Sequence, residues 1–141
     1  MISPELLQKY SFFVSLTDEQ LKAIALIGEE KSFPNGTVLF EENTAANNLI
    51  LLLEGSVDLF YSRVSEGSVV NSTACSITPG AIFGVSALIE PYKYTSSARA
   101  TLPIKVVDID GSALRKMAKS DQILDHALMR NVAAAVLARL H

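Results

Sequence analysis

Between Phe33 and Asp110 the chain is cut into short apolar or alternating runs: Val38-Leu39-Phe40, Leu49 to Leu53, Val57-Asp58-Leu59-Phe60-Tyr61, Val69 to Ile77 and Ala98 to Ile109. Pro, Gly and Asn stand between them. Runs of this length, rich in β-branched and aromatic residues and closed by turn formers, read as strands. Several short strands at this spacing build a small barrel or sandwich.

Helical signals flank this block. Residues 4 to about 28 read as helical, with Pro4 suited to a first turn. Thr17 followed three positions later by Gln20 forms a capping box, and Leu16 is placed to staple onto Leu21. Leu21, Ile24 and Ala25 then share one helical face. Past the strands, Asp110 or Ser112 caps a short helix carrying Leu114 and Met117, and a longer helix runs from about Asp121 to the end. Ile123, Leu124, Ala127 and Leu128 share a face of it, whereas Val132 to Ala138 is apolar around the whole circumference. A helix apolar all round needs cover on both sides, and Ala133-Ala134-Ala135 permits close approach of another helix. The expectation is a homodimer through Ile123, Leu124, Ala127, Leu128 and Ala135; the alternative is a helix that folds entirely against its own domain. The predicted layout is one domain over 1–141: helical at 4–30, a mainly β block at 31–110, and helices at 111–141.

A chain of 141 residues suffices for a single core that buries about two thirds of its unfolded surface. The net charge of −3, with Lys and Arg scattered, gives no general attraction to phosphate backbones, so no direct nucleic-acid binding is expected. The longest strongly apolar run, Leu49 to Leu53, is far too short to span a bilayer, and the first residues lack the basic start and apolar core of a secretion signal. A cytoplasmic location and no membrane partner follow as expectations. Cys75 is the one cysteine and has no partner for a disulfide. The two histidines, His126 and His141, both fall in the terminal helix, so no metal cluster assembles from the strand region. There is no Gly-x-Ser-x-Gly elbow and no Gly-rich Lys-Ser/Thr loop. The sequence therefore predicts no enzyme, no metal and no cofactor.

One motif carries more. Phe83-Gly84-Val85-Ser86-Ala87-Leu88-Ile89, followed by Tyr94-Thr95-Ser96, places a glycine where the backbone can turn tightly and a helix start whose free amides face an anion. The stretch resembles the phosphate-binding cassette of cyclic-nucleotide-binding domains of the Crp-Fnr type, typified by the catabolite activator protein and the regulatory subunits of protein kinase A. There the pattern is Phe-Gly-Glu, a short apolar helix, then Arg and a small residue. Here Val85 stands in the Glu position and Tyr94 in the Arg position. Phe33-Pro34-Asn35-Gly36, Leu53-Glu54-Gly55-Ser56-Val57 and Pro79-Gly80 also resemble turns of the family's β-roll, and Glu42-Asn43-Thr44 replaces the usual Glu-Gly-Asp.

The resemblance implies a double-stranded β-helix, a jelly-roll-like β-roll, with N-terminal helices and a long C-terminal helix that dimerises. It gives a candidate pocket of Phe83, Gly84, Val85, Ser86, Ala87, Leu88, Tyr94, Thr95 and Ser96. The guanidinium that holds the phosphate and the carboxylate that takes the ribose hydroxyl in the family are both missing. At roughly 1.5–3 kcal/mol per charged hydrogen bond, their loss weakens binding by about 3–6 kcal/mol, on the order of a hundred- to ten-thousand-fold. Arg99 lies an odd number of strand positions from Tyr94 and so faces away, and Lys93 reads as a solvated loop lysine. Tyr94 reads as an aromatic that fills the pocket, or as a stacking surface for another ligand. The expected function is a regulatory ligand-sensing or interaction domain that does not bind cyclic AMP in the usual mode. The alternatives are genuine binding of cyclic AMP or cyclic GMP through backbone amides, either Thr95 or Ser96, and Lys93, or a purely structural dimerisation module. Regulators of the family continue into a helix-turn-helix; this chain ends at His141, which leads to the expectation of an effector domain or partner protein.

Overall fold

The computed structural model describes residues 1–140; His141, read above as part of the last helix, lies outside the described residues. The strands are β1 Gly28–Phe33, β2 Val38–Phe40, β3 Asn48–Glu54, β4 Val57–Ser65, β5 Ser68–Ile77, β6 Ile82–Phe83, β7 Ser97–Ala100 and β8 Ile104–Asp110. Helices α1 Pro4–Gln8 and α2 Asp18–Leu26 precede them, a one-turn 3-10 helix spans Val85–Leu88, and α3 Gly111–Ser120 and α4 Gln122–Arg139 follow. The strands form two four-stranded sheets, ordered β1-β8-β3-β6 and β2-β7-β4-β5, with antiparallel pairing throughout. This is the mainly β roll with flanking helices that the sequence predicts.

Alternation along two central strands explains how one sheet serves two cores. Successive strand side chains point to opposite faces. In β3, Ile50 and Leu52 turn into the roll beside Val57, Leu59, Phe83, Ala98 and Val106. Leu49 and Leu51 turn outward, onto Phe13, Leu21, Ile24, Leu114, Leu124 and Leu128 of the helical layer. In β8, Ile104 and Val106 face the roll while Val107 and Ile109 face the helices. The unbroken apolar run at Leu49 to Leu53 is thus the mark of a strand covered on both faces.

Local chemistry fixes the helix starts. The Thr17 hydroxyl accepts from the Gln20 amide at 3.2 Å, and the Gln20 side chain accepts from the Thr17 amide at 2.9 Å. Asp110, rather than Ser112, caps α3 by accepting from the Ala113 amide, and Asp121 caps α4 through the amides of Ile123 and Leu124.

Two boundaries differ from the sequence reading. The first helical segment ends at Leu26, not near 30: Gly28 to Phe33 pairs residue for residue with Ile109 to Ile104. Its Glu29-Glu30-Lys31 core is exposed, so no apolar alternation advertises the strand. The run Ala98 to Ile109 is two strands, because Thr101-Leu102-Pro103 breaks the ladder and β7 and β8 enter different sheets. Proline has no amide to donate there.

Helix α4 also needs correction. Leu124 and Leu128, expected at a dimer contact, are 2% and 0% exposed and belong to the chain's own core with Val132. Ala127 and Ala135 pack partly against that core, and Ile123 is 75% exposed. The inward stripe is therefore 124, 128 and 132, spaced at the helical period. Left outside is a second stripe of Ala133, Val136, Leu137 and Leu140.

Candidate functional site

The site begins where β6 ends. Gly84 has φ +73°, and a Cβ there would lie 2.9 Å from the Asn48 carbonyl oxygen, 3.5 Å from the Tyr94 ring and 3.6 Å from the Phe40 ring. Both backbone handedness and crowding demand glycine at this position. The 3-10 helix follows, and the Ala87 amide, expected to be free for an anion, donates to the Gly84 carbonyl instead.

Tyr94 is held on every side. Its amide donates to the Thr44 carbonyl and its carbonyl accepts from the amide of Asn43, which has a left-handed φ of 66°. The ring stacks on Phe40 with centroids 3.7 Å apart and planes 8° from parallel. The phenol donates to the Asn48 carbonyl oxygen at 2.9 Å and accepts from the Asn48 amide at 3.1 Å. Burial raises its pKa above the ordinary tyrosine value. The side chain is 5% exposed.

What remains of the predicted pocket is a cavity of about 40 Å³ bounded by Phe40, Leu59, Gly84, Val85, Ser86, Tyr94, Thr95, Ser96 and Arg139. Six of the predicted residues, Gly84, Val85, Ser86, Tyr94, Thr95 and Ser96, meet there. Phe83, Ala87 and Leu88 do not line it: Phe83 is packed inside the roll, Leu88 in the helical core, and Ala87 against Ala46 and Tyr94. Arg99 lies over the Phe60 ring at 4.7 Å and Lys93 is exposed, so neither lines the cavity.

Two arginines missing from the sequence reading shape this region. Arg115 of α3 donates to the Ala87 carbonyl at 2.7 Å and the Ala46 carbonyl at 3.3 Å, with its guanidinium 4.4 Å from the Tyr92 ring centroid. It ties the cassette to the C-terminal helices. Arg139, in the last turn of α4, donates to the Ile82 carbonyl. Burial lowers its pKa, and no ion pair joins it to an acidic side chain among the described residues. It stands between the small cavity and a groove of about 510 Å³ beneath α4, which Phe12, Cys75, Thr78, Asn131 and Ala135 also line. Both contacts join residues far apart in the chain, which no local sequence pattern marks.

Asp108 and Glu42, two carboxylates near the roll, have structural partners. Asp108 pairs with Lys31 at 2.9 Å, which raises the Lys31 pKa, and accepts from the Asn48 side-chain amide at 2.6 Å. Glu42 accepts from the Ser62 amide at 2.7 Å. His126 is exposed on α4, and the described residues contain no group of three or more His, Cys, Asp or Glu able to hold a metal ion. No helix among them is long and apolar enough to cross a membrane.

The model of the family described as Cyclic nucleotide-binding domain matches residues 30–121. A crystal structure from Geobacter metallireducens GS-15, named for cyclic nucleotide binding, is 65% identical, with each chain covered in full and a TM-score of 0.89. The N-terminal domain of a transcriptional regulator from Streptomyces coelicolor A3(2) is 23% identical, with 94% of this chain and 91% of that one covered and a TM-score of 0.71. The sensor domain of the transcriptional regulator DNR from Pseudomonas aeruginosa is 16% identical over the same shares, with a TM-score of 0.74. The last two likenesses concern the fold alone. No curated protein sequence matches the chain.

Proposed function

Because the chain belongs to the Cyclic nucleotide-binding domain family, we propose that it is a regulatory sensing or interaction domain whose cassette no longer takes a cyclic nucleotide in the family's usual mode. One observation carries the reading: Tyr94, stacked on Phe40 and bonded to Asn48, occupies the space between the cassette and the roll. The cavity of about 40 Å³ compares with roughly 300 Å³ or more for ordinary small-molecule pockets. Val85 offers no acceptor for a ribose hydroxyl, and the phenol that replaces the guanidinium has spent its proton on a backbone carbonyl.

The output in this reading is the position of the C-terminal helices. Arg115 links the 3-10 helix to α3, so a shift of the cassette reaches α3 and then α4. The exposed stripe Ala133, Val136, Leu137 and Leu140 meets a second copy or an attached effector. A small ligand other than a cyclic nucleotide has its room in the groove under α4, beside the Arg139 guanidinium. If nothing binds there, the domain acts as a structural dimerisation module.

Restoring the missing charges tests this. In calorimetry, Val85→Glu combined with Tyr94→Arg gains cyclic AMP binding that the unmodified chain lacks. A folded double variant that gains nothing shows that the roll excludes nucleotide for further reasons, and micromolar or tighter binding by the unmodified chain overturns the proposal.

A further inference from the structure

The four outermost strands of the two sheets are β1, β6, β2 and β5. An open edge exposes a row of unused backbone donors and acceptors, and proteins guard such edges with charge, proline, shortness or cover. Strand β1 carries Glu29, Glu30 and Lys31; β2 has three residues and β6 two. Strand β5 is different. It is ten residues long, Ser68–Ile77, and contains neither a charged residue nor a proline. Every residue from Ser68 to Ala74 is exposed.

Part of this edge is covered. The pairing of β4 with β5 shifts at Ala74, where Leu59 opposes Cys75 and Phe60 opposes Thr73. Beyond that bulge, Cys75, Ser76 and Ile77 border the groove under α4. Before it, Ser68 to Thr73 pair without interruption with Ser65 to Phe60 on one side only. Six residues of regular strand thus stand open next to Val64 and Val69, which oppose each other and are 78% and 71% exposed.

We propose that this edge pairs with the same edge of a second copy of the chain, antiparallel through Ser68–Thr73, so that two β2-β7-β4-β5 sheets continue into one. Charge selects this occupant. Two-fold pairing sets a segment against itself, where like charges directly opposite are destabilising, and Ser-Val-Val-Asn-Ser-Thr brings none in any register. A charged partner strand finds no counter-charge on the segment. Serine, threonine and asparagine side chains bond across strands, and pairing covers the exposed valines.

Hydrogen exchange of the full chain at about 1 µM and about 100 µM reads the proposal directly, because self-association protects amides in a concentration-dependent way. The expected result is exchange at least about tenfold slower within Ser68–Thr73 at the higher concentration, a difference that Ser72→Lys and, independently, Val70→Lys abolish while the melting temperature is kept. Protection that rises only along residues 133–140 would support the helix contact of the preceding proposal and overturn this one. Equal exchange of Ser68–Thr73 at both concentrations would overturn it as well, including the case in which the edge serves a strand from a different protein.

Discussion

The phenol ring of Tyr94 lies parallel to the ring of Phe40 with centroids 3.7 Å apart, and its hydroxyl bridges the amide and the carbonyl of Asn48. One side chain thereby joins the cassette, strand β2 and the start of β3. Its energetics can be measured directly by substitution at Tyr94.

Tyr94→Phe keeps the stack but strands the Asn48 amide and carbonyl, and should cost about 1–3 kcal/mol. Tyr94→Ala also opens a cavity and should cost about 3–5 kcal/mol. Urea unfolding of both variants checks the order. Equal stability of Tyr94→Phe and the unmodified chain would show that the hydroxyl contributes nothing.

The buried phenol also predicts a pH effect. Its folded pKa is raised by burial, so the folded state holds the proton longer than the unfolded chain does. Below about pH 10, where an unperturbed tyrosine keeps its proton, both states are protonated and the contribution is complete. As pH rises further the unfolded chain releases the proton first, and stability falls until the folded value is passed. Unfolding midpoints from about pH 8 to about pH 11 should drop more steeply for the unmodified chain than for Tyr94→Phe; parallel curves would remove Tyr94 as the cause.

Two glycines with positive φ separate backbone strain from crowding. Gly36 has φ +92° and nothing within 4 Å of a would-be Cβ, whereas at Gly84 the Asn48 carbonyl lies 2.9 Å away. Gly36→Ala should cost about 1–2 kcal/mol from the left-handed conformation alone. Gly84→Ala should cost more, since Asn48 belongs to a ladder strand and cannot retreat. A thermal melt showing the reverse order would mean that the cassette backbone is soft.

Helix α4 divides in the same way. Leu128 is fully buried and Leu137 is 57% exposed. Leu128→Asp places an unpaired charge in the core and should cost more than about 4 kcal/mol. Leu137→Asp should leave the melt unchanged and weaken self-association in sedimentation. A monomeric unmodified chain at high concentration would count against the helix contact.

How far the sequence could be read follows from where the information sits. Thr17 with Gln20 and Asp110 announce their caps because capping is a local bond between neighbours in the chain. The Leu49 to Leu53 run announces a strand by its own composition, whereas its cover on both faces comes from the two cores. Strand β1 does not, since Glu29-Glu30-Lys31 is held by its ladder to β8 and not by burial. In α4 an apolar circumference names no inward face, and only the packed layer shows that Leu124 and Leu128 turn in while Ile123 turns out. The cassette spacing located Gly84 and Tyr94 together, but the roles of Phe40, Asn48, Arg115 and Arg139 depend on contacts between residues far apart in sequence.

With Val85 and Tyr94 in place of the charged pair, the proposed cassette stands but is closed to a cyclic nucleotide. Calorimetric titration of the unmodified chain with cyclic AMP tests it most directly. The expected result is no saturable binding up to about 1 mM, equivalent to less than ~4 kcal/mol of affinity. A submicromolar dissociation constant, with the nucleotide seated between Gly84 and Tyr94, would contradict it.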